Sequence, residues 1–127
     1  MLGTPNAGSE IADFVMQWPV LTPILGKAAP ALITRRQPTV DDLLGKVDYS
    51  GGIVAGDKPM MAQGLARLLP GPNDGKVSVT STRLREAADH IVLPLSHSQL
   101  PYNPLAHAQV RHFLRHGHFK REPATEN

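Results

Sequence analysis

A carboxylate and an imidazole, each placed where a buried segment meets a loop, are the residues of this chain best suited to do chemistry together. The carboxylate is Asp74, in Gly71-Pro72-Asn73-Asp74-Gly75, ahead of the run Lys76-Val77-Ser78-Val79. The imidazole is His97, in Ser96-His97-Ser98, directly after Ile91-Val92-Leu93-Pro94-Leu95. A carboxylate that accepts from one imidazole nitrogen fixes the tautomer and frees the other nitrogen to take a proton from a hydroxyl. Each residue alone has a plainer reading. Asn-Asp-Gly is a common turn whose Asp bonds the amides just ahead of it, and a lone His at a strand end is more often a satisfied surface or core residue than a base. Together, 23 residues apart, they leave room for one short helix and one strand between an acid and a base.

The elements that must hold them follow from the apolar pattern. Residues 53–55, closed by Gly56-Asp57, read as a short buried strand, and residues 91–95 as a second, continuous enough in apolar residues to be covered on both faces. The run 77–79 after the acid turn reads as extended, and Ser81-Thr82 as the cap of a short helix over 83–88. Asn103 and Pro104 start a helix, Val110, Phe113 and Leu114 give it an apolar stripe, and Gly117 closes it. Strand, helix, strand and helix with buried strands indicate an α/β layer sheet, in which ligands gather at the carboxyl ends of the strands.

Elsewhere the chain is less regular. Residues 1–8 read as a strand end and a turn, so further chain is expected before Met1. Ile11, Phe14 and Val15 have helical spacing over 10–17, and Trp18-Pro19 stops that helix. From 19 to 38 the chain is apolar and proline-rich, which permits only short helical pieces, either a lid over a pocket or a core-covering connection. A helical turn is expected over 61–69, with Leu65, Leu68 and Leu69 on one face, and the Met60-Met61 pair as core packing. Residues 120–127 read as a polar, frayed tail.

Composition removes several functions. The 127 residues carry 13 Lys and Arg against 11 Asp and Glu, with 5% aromatic residues, so no dense basic stripe with stacking residues points to nucleic acid. No cysteine is present, which excludes disulfides and thiolate chemistry. No apolar run is long enough to cross a bilayer, and the first residues lack the basic start and apolar middle of a secretion signal, so the default compartment is cytoplasmic. His107, His112, His116 and His118 crowd the last helix and its end. Their offsets do not gather three ligands on one face: His112 and His116 are the only helical-face pair, and helix-end cations facing solvent are expected, with no metal and no organic cofactor.

Four phrases carry a resemblance: Met1-Leu2-Gly3-Thr4-Pro5-Asn6-Ala7-Gly8-Ser9-Glu10, Ile53-Val54-Ala55-Gly56-Asp57, Pro70-Gly71-Pro72-Asn73-Asp74-Gly75-Lys76-Val77-Ser78-Val79, and Ala88-Asp89-His90-Ile91-Val92-Leu93-Pro94-Leu95-Ser96-His97. They resemble the C-terminal half of bacterial α/β-hydrolases of the lipase and esterase type, over roughly residues 1–119. The resemblance implies a partial α/β-hydrolase sheet of C-terminal strands with flanking helices, a lid-like region at 9–45, and a final helix packed on the sheet. It also implies Asp74 and His97 as the acid and base of a serine hydrolase triad acting on a small-molecule ester or lipid. Asp57, after the first strand, ranks second as the acid.

The nucleophile-bearing half is absent from these residues. No serine stands in a Gly-x-Ser-x-Gly frame: Ser9 lacks the closing glycine, Ser50 lacks the leading one, and Ser78, Ser81, Ser96 and Ser98 have no glycine frame. The loop that supplies the family's oxyanion hole is expected upstream with the nucleophile. Two readings therefore stand: an ester hydrolase carrying only acid and base, or a non-catalytic fragment or interaction module. Half a sheet also exposes a strand edge, from which self-association is expected.

Overall fold

The computed structural model describes residues 1–8, 13, 48–60, 67, 69–121. The helix expected over 10–17 and the lid-like region 9–45 lie outside the described residues apart from Asp13, as does the turn at 61–69 apart from Arg67 and Leu69.

Strand β1 (Gly52–Gly56) is buried at all five residues. A strand so deeply covered must spend its backbone polar groups on both sides. On one side it pairs in parallel with β2 (Asp89–Leu93), with Val54 opposite Ile91. On the other, Val54 donates its amide to the Met1 carbonyl at 2.9 Å and accepts from the Gly3 amide at 2.8 Å, in a parallel bridge to Leu2. The sheet order is thus the first three residues, β1, β2, with β1 central.

β2 begins two residues earlier than its apolar pattern indicates and ends two earlier. Pro94 has no amide to donate, and the Leu95 amide turns back to the Leu93 carbonyl at 2.7 Å, so the ladder stops at Leu93. Coverage of both faces does not hold either, because Val92 is 37% exposed.

Helix α1 (Pro104–His116) follows its sequence signals residue by residue. Asn103 caps it, accepting from the Leu105 amide at 2.9 Å, Pro104 fills the first turn, and Gly117 closes it at φ 75°, a left-handed conformation that suits glycine. Of its expected apolar stripe, Val110 and Phe113 meet the sheet, whereas Leu114 is 77% exposed. Ala106, with Val110 and Phe113 packed beside it, joins Val54, Leu93, Leu95, Leu100 and Phe119 in one core. Gly52 makes this close approach possible: a β-carbon there would lie 2.7 Å from the Phe113 ring.

Two expected elements are replaced by turns. Residues 77–79 are not a strand: Asn73 and Ser78 form a single antiparallel bridge, and the chain then turns through 79–82. Groups of the same loop take the amides that a neighbouring strand would have received, Asp74 Oδ1 that of Val77 and the Pro72 carbonyl that of Val79. The Ser81 amide donates to Ser78 Oγ at 3.1 Å, and the Thr82 amide to the Ser78 carbonyl at 3.3 Å. The helix over 83–88 is likewise a turn, from the Leu84 carbonyl to the Ala87 amide, and the Ala88 amide is already committed to Gly51 at the head of β1. Among the described residues no helix is long and apolar enough to cross a membrane.

Candidate active site

Asp74 sits in a loop that folds around its own carboxylate. Oδ1 accepts from the Lys76 amide at 3.0 Å and the Val77 amide at 2.8 Å, while the Asp74 amide donates to the Val77 carbonyl at 3.1 Å. Asn73 works alongside, its Oδ1 accepting from the Gly75 amide at 3.0 Å. Gly75 takes φ 98° to close the loop. This is the ordinary turn role of such an Asp, and it consumes only one oxygen.

The second oxygen, Oδ2, lies 2.8 Å from His97 Nδ1. A carboxylate can only accept, so Nδ1 carries the hydrogen and Nε2 keeps its lone pair. The two loops are joined again through the backbone, where the His97 amide donates to the Asp74 carbonyl at 2.9 Å. The His97 turn has its own support: Gln99 Oε1 accepts from the Ser96 amide at 3.0 Å and from Ser96 Oγ at 3.1 Å. The Asp74 side chain is 1% exposed and that of His97 32%, so the carboxylate is sealed and the imidazole reaches the surface.

Two glycines allow this approach. Gly3, at φ 57°, has no β-carbon where one would lie 3.1 Å from both Asp74 Oδ2 and His97 Nδ1, and 2.9 Å from Leu100. Gly56 ends β1 against the Leu95 carbonyl and the Asp74 β-carbon, which a side chain there would meet. The first three residues and the end of β1 thus form the floor under the acid–base pair. Gly56 is legible as a strand terminator, but no local signal ties Gly3 to residues 74 and 97.

Beside the His97 turn lies a cavity of about 400 Å³ lined by Met60, Ser98, Gln99, Tyr102, Asn103 and Pro104. Met60 is 69% exposed at its wall rather than packed in the core. Asp57 is exposed at the end of β1, and its amide donates to the Leu93 carbonyl; the imidazole is bonded by Asp74, which sequence placed first.

Behind the acid loop a buried polar network ties it to β2. Ser78 Oγ donates to Ser81 Oγ at 2.9 Å, and Thr82 Oγ1 donates to the Val79 carbonyl at 2.7 Å. With its hydrogen spent, Thr82 Oγ1 accepts from His90 Nε2 at 2.9 Å. Burial, followed by the nearby Arg83 charge, holds His90 below the ordinary imidazole range, against the opposing pull of Asp89. At the start of β2, Asp89 takes Arg121 on both oxygens and accepts from the Phe119 and His90 amides at 2.7 Å each. The Arg121 hydrogen bonds hold its carboxyl well below the usual carboxylate range. The tail that sequence leaves frayed from Lys120 is therefore bonded through Arg121. Among the described residues no group of three or more His, Asp or Glu side chains could hold a metal ion.

The parallel sheet, with Asp74 meeting His97 in loops beyond the ends of β1 and β2, has the fold of part of a solved lipase. That fold is shared with solved structures of a lipase from Bacillus licheniformis, BlEst2. Against its propeptide form the TM-score is 0.63 at 23% identity, covering 99% of this chain and 30% of that one. Against its mature form the TM-score is 0.61 at 23% identity, covering 90% of this chain and 51% of that one. The chain thus spans a third to a half of the lipase it resembles. No family model and no curated protein matches the sequence.

Proposed function

We propose that this chain carries the acid and base of a carboxylic ester hydrolase that works through an acyl-enzyme. The observation that carries the reading is the 2.8 Å contact between buried Asp74 and half-exposed His97 on a lipase-like fold. In this reading His97 Nε2 removes the proton of a serine hydroxyl as that oxygen attacks the ester carbonyl, then returns the proton to the departing alcohol. Asp74 orients the ring through Nδ1 and stabilises the imidazolium formed in between. The nucleophile and the oxyanion donors come from residues outside these 127, since no Gly-x-Ser-x-Gly stands among them. The cavity beside Ser98 and Tyr102 would take part of the substrate.

A second reading is favoured by that same missing motif: a non-catalytic fragment or interaction module that keeps the scaffold of the site. The two separate on ester turnover. The protein carrying this chain together with its nucleophile-bearing residues is assayed on a short-chain p-nitrophenyl ester, as wild type and as His97→Ala. Turnover in the wild type, abolished by the substitution with the circular dichroism spectrum unchanged, is the expected result. Turnover that survives the substitution would overturn the role of His97, and a folded wild type without turnover would establish the module.

A further inference from the structure

Among the described residues β2 has a strand on one side only, yet its outer side is not simply open. Along a strand, successive residues turn their amide and carbonyl to opposite sides. The Leu93 carbonyl accepts from the Asp57 amide, so Asp89, Ile91 and Leu93 face β1, and His90 and Val92 face outward. Both outward groups of His90 are engaged: its amide donates to Asp89 Oδ1 at 2.7 Å, and its carbonyl accepts from Arg121 Nη2 at 3.0 Å. Val92, 37% exposed, has no partner for either group among the described residues. We infer that residues 119–121 form a strap that closes the outer edge of β2, an edge that without the strap is an interaction surface for β2 of a second copy of the protein. The inference does not depend on the proposed hydrolase chemistry.

The strap is anchored on both flanks. Phe119 is 3% exposed, stacks on Phe113 with ring centroids 5.0 Å apart, and donates its amide to Asp89 Oδ2 at 2.7 Å. Lys120 exchanges two bonds with the Gln109 side chain of α1: its amide donates to Oε1 at 2.9 Å, and its carbonyl accepts from Nε2 at 2.8 Å. A side-chain amide thus does for residue 120 what a neighbouring strand does elsewhere. Arg121 then reaches across Asp89, on both of its oxygens, to the His90 carbonyl.

Counting the hydrogen bonds shows what this closes. Two copies that meet at this edge about a two-fold axis perpendicular to the sheet pair antiparallel. The register that uses both outward residues sets His90 of each copy opposite Val92 of the other and exchanges four backbone hydrogen bonds. Each of the four joins a His90 group to a Val92 group, so holding both His90 groups blocks them all. Sliding the register to set Val92 opposite Val92 leaves two bonds and brings in Pro94, which has no amide to give. The free groups of Val92 are therefore too few to start strand addition while the strap is in place, and the Arg121 charge shields the edge as charged side chains do on other sheet edges.

The test compares the mass of the protein, carrying this chain together with its nucleophile-bearing residues, by light scattering across a range of concentrations. Arg121→Ala and Arg121→Gln, at a side chain that is 55% exposed, should keep the wild-type circular dichroism spectrum and reversibly double the wild-type mass as concentration rises. Adding Val92→Lys should return the mass to the wild-type value, because a charge on the edge residue opposes pairing. Arg115→Ala, which removes the same charge from α1 outside the strap, should leave the mass unchanged. Folded Arg121 variants that keep the wild-type mass would overturn the inference, as would association that Val92→Lys leaves intact or that Arg115→Ala reproduces. Wild type that already associates in a way Val92→Lys abolishes would overturn it too, since the edge would then be open with the strap in place.

Discussion

Two aspartates of this chain are held almost alike and serve different ends. Asp74 accepts from two backbone amides and one side chain; Asp89 accepts from two backbone amides and one side chain. The difference is the partner. Arg121 remains charged at every accessible pH and occupies both oxygens of Asp89, so that pair only fastens the residues after α1 to β2. His97 can gain and lose a proton and uses one nitrogen on Asp74, which leaves the other for chemistry. Exposure follows the same division: the imidazole's partner is 1% exposed, while the guanidinium is 55% exposed and screened by water. A carboxylate held by backbone amides becomes a strut or the partner of a titratable ring according to which side chain also donates to it.

The contrast breaks most sharply at Asp74. In the protein with its nucleophile, Asp74→Asn should lower turnover by about 10⁴-fold, because an amide can leave His97 in the wrong tautomer. Asp89→Asn should leave turnover nearly unchanged in protein that remains folded. Similar activity losses in the two variants would erase the distinction. Next in size is the backbone floor. Gly56→Ala would drive a β-carbon into the Leu95 carbonyl, a backbone atom that cannot swing away, and should destabilise the chain by about 1–3 kcal/mol. Gly3→Ala meets a flexible Leu100 methyl but must hold φ 57°, a cost of about 1–2 kcal/mol. Its sharper signature is at the pair itself: the downfield proton of His97 Nδ1 should shift or vanish from the NMR spectrum. An unchanged proton would remove Gly3 from the site.

Some of this was legible in the residues. The contact between Asp74 and His97 is readable because each stands in a local motif, a turn before Gly75 and a loop after an apolar run, and their separation suits one connection. Helix α1 is readable for the same reason, since Asn103, Pro104 and Gly117 mark its ends within the chain itself. Features made by distant residues were not. Gly3 reaches the pair only because the first residues lie along β1, and Asp89 meets Arg121 across 32 positions with no periodicity to announce it. The extended run expected at 77–79 pairs with no strand, because Asp74 Oδ1 accepts the Val77 amide and the Pro72 carbonyl accepts the Val79 amide within the same loop.

Smaller effects test the structural half of the comparison. Arg121→Ala should cost only about 1 kcal/mol, since its charge is largely solvated. Asp89 is held below its unfolded value, so its contribution is present above about pH 4 and is lost progressively as pH falls from there toward the much lower folded value. The difference in melting temperature between wild type and Arg121→Ala should therefore shrink in acid; a difference that stays constant down to pH 2 would show that packing, not charge, holds the strut.

His90 provides the gentlest test and the opposite pH window. Its ring is lowered by burial and by Arg83, so the folded chain binds its proton less readily than the unfolded chain does. Stability from His90 is complete above its unfolded value, about pH 6.5, and declines as pH falls below it. His90→Gln can still donate to Thr82 Oγ1 but cannot titrate. Melting temperatures of the two proteins should run parallel from pH 8 to 7 and converge or cross between pH 6.5 and 5, as only the wild type loses stability there. Curves that stay parallel throughout would mean that protonated His90 is accommodated without disturbing Thr82, and that the network behind the acid loop is indifferent to its charge.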